Sequence, residues 1–183
     1  MNRPGFSFSH FGMFVTDIDR LEEFYTRMLS FTVTDRGQLD GVNGPMDLVF
    51  LSRDPAEHHQ LVLVSGRPPD LPFNPINQIS LKADSLATLR QMHQRLVREG
   101  MPGIRTVTHG NAVSIYLPDP EGNRLELFFD LPWYVPQPLV VPTDLSGDEA
   151  TIMQRLEDHA RSLPGFKSRA QWQADMTKQM GLA

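Results

Sequence analysis

The sequence predicts an α+β fold built from two βαβββ modules, and three observations predict it. An aromatic and β-branched stretch leads into an amphipathic helical pattern and three short strand patterns. That order recurs after about 68 residues, which marks an internal repeat. A proline-rich segment then separates a helical tail from the rest. At 183 residues the chain has about the length of one domain and is long enough to bury a real core.

The first strand is read over residues 6–15, "FSFSHFGMFV", because it is rich in aromatic and β-branched residues and shows no helical period. Thr16 and Asp17 offer N-cap oxygens to a helix in which Leu21, Phe24, Tyr25, Met28 and Leu29 form one apolar stripe. Strands near 31–36, 47–53 and 59–65 follow, separated by "GQLDGVNGP" and "RDPAE", whose Gly, Pro and Asp form turns.

The second module opens with the strand in "INQISLKAD" and the helix in "SLATLRQMHQRLVREG", with Leu86, Leu89, Met92, His93 and Leu96 facing inward and Gly100 at its C-terminal end. Strands near 104–108, 112–117 and 124–130 complete it. His10 and Gln78 then occupy nearly equivalent places on the first strand of each module. The modules cover about 6–66 and 74–131 of a domain at 1–131, and residues 132–183 form an arm and helical extension. In "LPWYVPQPLVVP" the prolines disfavour helix and central strand. Beyond it, 147–163 and 168–180 are expected helices, with apolar faces at Ile152, Met153, Leu156 and Ala160 and at Trp172, Met176 and Met180.

Composition removes several function classes. The net charge of -5 and the absence of a basic run among aromatics argue against nucleic acid as a partner. No cysteine is present, so a metal would have to be held by His, Asp, Glu, Asn or Gln. No stretch approaches the ~18 apolar residues of a membrane span, and the start has no signal-like pattern, so a cytoplasmic protein without a membrane partner is expected.

The residue that invites a chemical reading is Glu126, seated among leucines and phenylalanines in "NRLELFFD". An unpaired buried carboxylate is costly, whereas one that coordinates a metal is compensated. With His10 it suggests a metal site; pairing with Arg124 or Arg105 at a sheet edge is the plainer alternative. The "LPDPEGN" turn holds Glu126 in register with Tyr116. Phe8, Phe14, Phe128, Trp133 and Tyr134 are candidates for an aromatic wall or, equally, for ordinary core, while His93 and His159 are read as structural.

The segments "SHFGMFVTDIDRLEEFY", "EHHQLVLV", "NQISLKADSL" and "HGNAVSIYLPDPEGNRLELF" resemble the vicinal oxygen chelate (glyoxalase/bleomycin resistance/dioxygenase) superfamily. Within it they are similar to one-domain type I extradiol dioxygenases of the biphenyl-2,3-diol type. The resemblance spans residues 7–131 and implies a cupped mixed sheet around a metal site. It implies His10 and Glu126 as metal ligands, with Gln78 where the family has its second histidine. It also implies His59 as the acid/base, with His109 and Tyr116 contacting substrate. His59 is alternatively a fourth ligand, and His58, expected on the opposite strand face, is read as a surface residue.

The function so implied is Fe(II)-dependent ring cleavage of a catechol-type aromatic diol with O2, in a homo-oligomer. Gln78 favours an alternative, a glyoxalase-like isomerase or lyase using Mn, Ni, Zn or Co. A third reading is a small-molecule binding protein on the same scaffold.

Overall fold

The computed structural model describes residues 7–41, 44–71 and 73–182; residue 6 of the expected first strand lies outside them. The same strand order appears twice. The first module comprises β1 (Phe11–Val15), α1 (Ile18–Leu29), β2 (Thr32–Gly41), β3 (Gly44–Ser52) and β4 (Leu61–Ser65), with sheet order β1-β4-β3-β2. The second comprises β5 (Ile79–Lys82), α2 (Leu86–Arg98), β6 (Arg105–Thr108), β7 (Ala112–Pro118) and β8 (Arg124–Asp130), ordered β5-β8-β7-β6. In each, the first strand runs parallel to the last and the other pairings are antiparallel. The expected α+β architecture of two βαβββ modules is therefore present.

The registers define which residues correspond. The parallel pairs begin Phe11↔Leu61 and Ile79↔Leu125, so His10 corresponds to Gln78, Gly12 to Ser80 and Val62 to Glu126. Across the next ladder, Phe50↔Val62 corresponds to Tyr116↔Glu126.

Local chemistry accounts for the helices. Asp17 caps α1 by accepting from the Arg20 amide, and Ser85 caps α2 by accepting from the Thr88 amide. Ser30, at φ 57°, ends α1, and Gly100, at φ 66°, follows α2, both in the left-handed region. The buried stripe of α1 (Leu21, Phe24, Tyr25, Met28, Leu29) packs against the sheet that buries Met13, Val15, Leu61 and Leu63. In the second module Leu86, Leu89 and Leu96 of α2 are buried, as are Ile79, Leu125 and Leu127 of the sheet. Odd-numbered residues of β8 thus serve the core, and even-numbered Arg124, Glu126 and Phe128 take the other face.

By its contacts the chain divides into two units, Asn2–Pro75 with Asp119–Asn123, and Ile76–Pro118 with Arg124–Ala183. The β7–β8 turn belongs to the first. There Asp119 accepts from the Asn123 amide (2.9 Å) and the Tyr25 hydroxyl (3.3 Å), and Glu121 accepts from the Thr16 and Asp17 amides, both at 2.7 Å.

The extension groups with the second unit. Its elements are β9 (Trp133–Tyr134), β10 (Val141–Pro142), α3 (Glu149–Arg161), β11 (Lys167–Ser168) and α4 (Arg169–Gln179). β10 joins the sheet at its β6 edge, the position open to a proline-containing strand. β9 pairs with β11, and Tyr134 stacks on Trp172 of α4 with centroids 5.5 Å apart. Leu131, Val135, Ile152, Leu156 and Ala160 are buried.

Candidate functional site

Glu126 lies at the centre of a polar corner in the second unit. It is 8% exposed, on a strand flanked on both sides, so it occupies no sheet edge. Its Oε1 accepts from Ser114 and Tyr116 hydroxyls, each at 2.8 Å; its Oε2 accepts from Ser80 Oγ (2.7 Å) and Gln78 Nε2 (3.0 Å). The plainer expectation, a pair with Arg124 or Arg105, is not what forms. Alternation points Arg124 along the same face but not at its strand neighbour two residues on, whereas Ser80 and Tyr116 stand directly across the ladders.

These donors decide the charge of Glu126. Burial favours the neutral acid, but hydrogen bonds from His109, Ser80, Tyr116 and Ser114 outweigh it and draw the pKa down to about 2. Burial and the adjacent carboxylate raise the Tyr116 phenol, so it stays protonated and donates.

His109 completes the corner. Its Nδ1 lies 2.7 Å from the Leu139 carbonyl, which only accepts, so that nitrogen carries a hydrogen. Its Nε2 lies 3.1 Å from the Tyr116 oxygen and 3.5 Å from Glu126 Oε1. The phenol's one hydrogen goes to Glu126, so a second proton on His109 completes the network. Its pKa is raised accordingly by Glu126 and the Leu139 carbonyl, against the effect of burial.

Gln78, His109, Asn111, Tyr116, Arg124, Glu126 and Phe128 line a cavity of about 490 Å³, together with Gln137, Pro138, Leu139 and Val140 of the arm. The volume falls in the range of small-ligand sites. Of the expected aromatic wall, only Phe128 lines it. Trp133 is buried with its indole N–H on the Gly110 carbonyl (2.6 Å), Tyr134 stacks on Trp172, and Phe8 and Phe14 are 85% and 57% exposed.

His10 and His59 are adjacent in the first unit, with ring centroids 4.1 Å apart. His59 lies just before β4 rather than on it, and its Nδ1 is 2.8 Å from that of His58. The expectation that the two point oppositely fails because alternation holds only within a strand. His58 is exposed, as expected. Partial burial, His10 and His58 hold the His59 pKa below the ordinary imidazole value. Among the described residues no group of three or more His, Cys, Asp or Glu side chains is placed to hold a metal ion.

Sequence reasoning missed Ser80, Ser114 and Leu139. The serines were detectable as hydroxyls on the Glu126 face of neighbouring strands, once strand pairing is known; a backbone carbonyl leaves no mark in a sequence.

Residues 7–127 match the glyoxalase/bleomycin resistance protein/dioxygenase superfamily. The chain belongs to this superfamily. A curated relative, biphenyl-2,3-diol 1,2-dioxygenase 2 of Rhodococcus globerulus, is 27% identical over 128 residues, covering 67% of this chain and 62% of the relative. The chain thus spans less than two thirds of that relative's length. Among solved structures, a glyoxylase/bleomycin resistance protein/dioxygenase domain from Frankia sp. EAN1pec superposes with a TM-score of 0.57 at 21% identity, covering 71% of this chain and 100% of that one. A glyoxalase family protein from Bacillus cereus gives 0.51 at 14% identity, covering 71% and 97%. These likenesses establish the superfamily fold. Among the described residues no helix is long and apolar enough to cross a membrane.

Proposed function

We propose that the chain is an extradiol-type dioxygenase that binds a catechol-type diol in the cavity beside Glu126. The observation that carries this reading is the convergence of Tyr116 and His109 on one carboxylate oxygen, in a cavity with an apolar side formed by Phe128, Pro138, Leu139 and Val140. A flat aromatic diol needs that combination of a polar corner for its oxygens and an apolar surface for its ring. The weak likeness to a biphenyl-2,3-diol dioxygenase supports it.

In this reading Tyr116 and His109 turn the hydrogens they direct at Glu126 to the diol oxygens and to charge that develops on them. His59, whose lowered pKa keeps it neutral near pH 7, accepts a diol proton and returns it later. The resemblance assigns His10, Gln78 and Glu126 as ligands of Fe(II). The donor types fit a divalent first-row ion, since Glu126 is ionised and the others offer an imidazole and an amide oxygen. Gln78 would have to turn its carbonyl oxygen in place of the N–H it gives Glu126. The chemistry that Fe(II) supplies when bound is electron transfer between diol and O2.

The test is incubation of Fe(II)-loaded protein with catechol, 3-substituted catechols and 2,3-dihydroxybiphenyl in air. A yellow ring-fission product with matching oxygen uptake is expected, and no turnover of any vicinal diol would refute the dioxygenase. Glu126→Ala is expected to lose metal retention. His59→Ala should keep metal and lose turnover, and metal loss there would make His59 a ligand.

A second reading, a metal-dependent isomerase or lyase, is favoured by a specific observation: position 78 is an amide, whose oxygen is a harder donor than the imidazole expected of an Fe(II) site. Retention of Mn, Ni, Zn or Co without oxygen uptake would select it.

A further inference from the structure

The superfamily match ends at residue 127, yet the arm that follows supplies four residues of the cavity and the hydrogen-bond partner of His109. Leu139 contributes through its backbone carbonyl, so what matters is where the chain is held. Gln137 holds it: its Nε2 donates to the His109 carbonyl at 2.6 Å, and its Oε1 accepts from the Leu139 amide at 3.1 Å. One side chain therefore ties the backbone of the histidine to the backbone that orients its ring. Gly110 lets the arm approach, because a Cβ there would collide with Val135 and lie 2.9 Å from Leu139 Cδ2.

We propose that Gln137–Val140 is a working part of the site: Gln137 is a positioning residue that sets, through the Leu139 carbonyl, which His109 nitrogen faces the pocket, and Val140 selects apolar ring substituents. The selectivity half rests on the diol reading above; the positioning half does not.

The geometry explains why such a device is needed. An imidazole ring that nothing holds can rotate and present either nitrogen, or a carbon edge, to the pocket. A carbonyl that accepts from Nδ1–H removes that freedom and commits Nε2 to the Tyr116 and Glu126 side. Val140 is 62% exposed although apolar and lines the cavity, a placement suited to covering an apolar group on a bound ring.

Two measurements on the full chain test the two halves. In long-range proton–nitrogen spectra of the histidine rings, with His109 assigned by His109→Gln, the parent should show a slowly exchanging His109 Nδ1–H. In Gln137→Ala that proton should exchange more than about 10-fold faster, with a thermal midpoint close to the parent's, since Gln137 is exposed. Gln137→Glu, which keeps the acceptor for the Leu139 amide, should restore part of the protection. An unchanged Nδ1–H in Gln137→Ala overturns the positioning role.

For the wall, calorimetric affinities for catechol and 2,3-dihydroxybiphenyl are compared in the parent and Val140→Lys. The variant should weaken the biphenyl diol by about 10-fold and leave catechol nearly unchanged. Equal losses for both diols, or no binding of either to the parent, overturn the selective role. Failure of turnover alongside a protected Nδ1–H would strike the dioxygenase reading and leave the arm's positioning role standing.

Discussion

The two modules share a strand order and a register, and they differ at the positions that matter for chemistry. Where the second holds Glu126 with Ser80, Tyr116 and Ser114 on the neighbouring strands, the first holds Val62 with Gly12, Phe50 and Leu48 at the corresponding places. The backbone that presents these residues is equivalent, and Val62 and Glu126 are equally buried, each 8% exposed. The difference shows that the scaffold tolerates a carboxylate at this position only where its neighbours change with it. One charge requires several donors, because ionisation in a buried place is stable only when hydrogen bonds replace water.

Moving the charge to the other module is the strongest test. Val62→Glu would place a carboxylate beside Gly12 and Phe50, where the hydroxyls of Ser80 and Tyr116 have no counterpart, and should cost at least ~3 kcal/mol in urea unfolding or leave a neutral acid with a strongly raised pKa. Glu126→Val, the reverse change, leaves the Ser114 and Tyr116 hydroxyls buried without their acceptor. It should cost about 2–3 kcal/mol by the same measurement. A stabilised Glu126→Val variant would show that the corner is held for function at the expense of stability.

Two equivalent glycines, Gly44 at the start of β3 and Gly110 just before β7, carry the comparison further. Gly44 and Gly110 both have positive φ, at 113° and 75°, but a Cβ at Gly44 meets nothing within 4 Å, while one at Gly110 meets the arm. Gly110→Ala should therefore cost about 2 kcal/mol and Gly44→Ala about 1, the gap reporting how tightly the arm seats.

The smallest effect is expected at Asp130, whose counterpart by the β4–β8 correspondence is Gly66. Asp130 pairs with Lys82 (2.7 Å) and with Arg169 of α4 (2.9 Å). Burial opposes its ionisation, but these two cations prevail and its pKa is lowered. A folded-state pKa below the unfolded one means stability that is present above the unfolded value and lost as pH falls through the carboxylate range toward the folded one. Asp130→Asn should cost about 0.5–1 kcal/mol at pH 7, and the gap to the parent should shrink in unfolding titrations carried into acid.

Much of this was legible before any coordinates. The helical stripe from Leu21 to Leu29, the recurrence that equates His10 with Gln78, and the turn that puts Tyr116 opposite Glu126 all follow from local periodicity and turn chemistry. The histidine pair at 58 and 59 was misread because a rule for strands was extended into a connection. For Trp133 and Tyr134 the choice between a pocket wall and ordinary core stays open in the sequence, because size and aromaticity do not reveal which surface a side chain faces.

By itself, then, the sequence determined the two-module α+β architecture and the order of its elements, since these depend on patterns within a few turns of chain, and its resemblance to the superfamily pointed to His10, His59, Gln78, His109, Tyr116 and Glu126. Only the tertiary structure decided who surrounds Glu126 and what orients His109. Ser80 and Ser114 reach the carboxylate from 46 and 12 residues away, and the Leu139 carbonyl reaches His109 across 30. Such contacts are set by strand pairing and by where an arm is anchored, and backbone groups, identical in nearly every residue, take part in them without leaving a trace in the sequence.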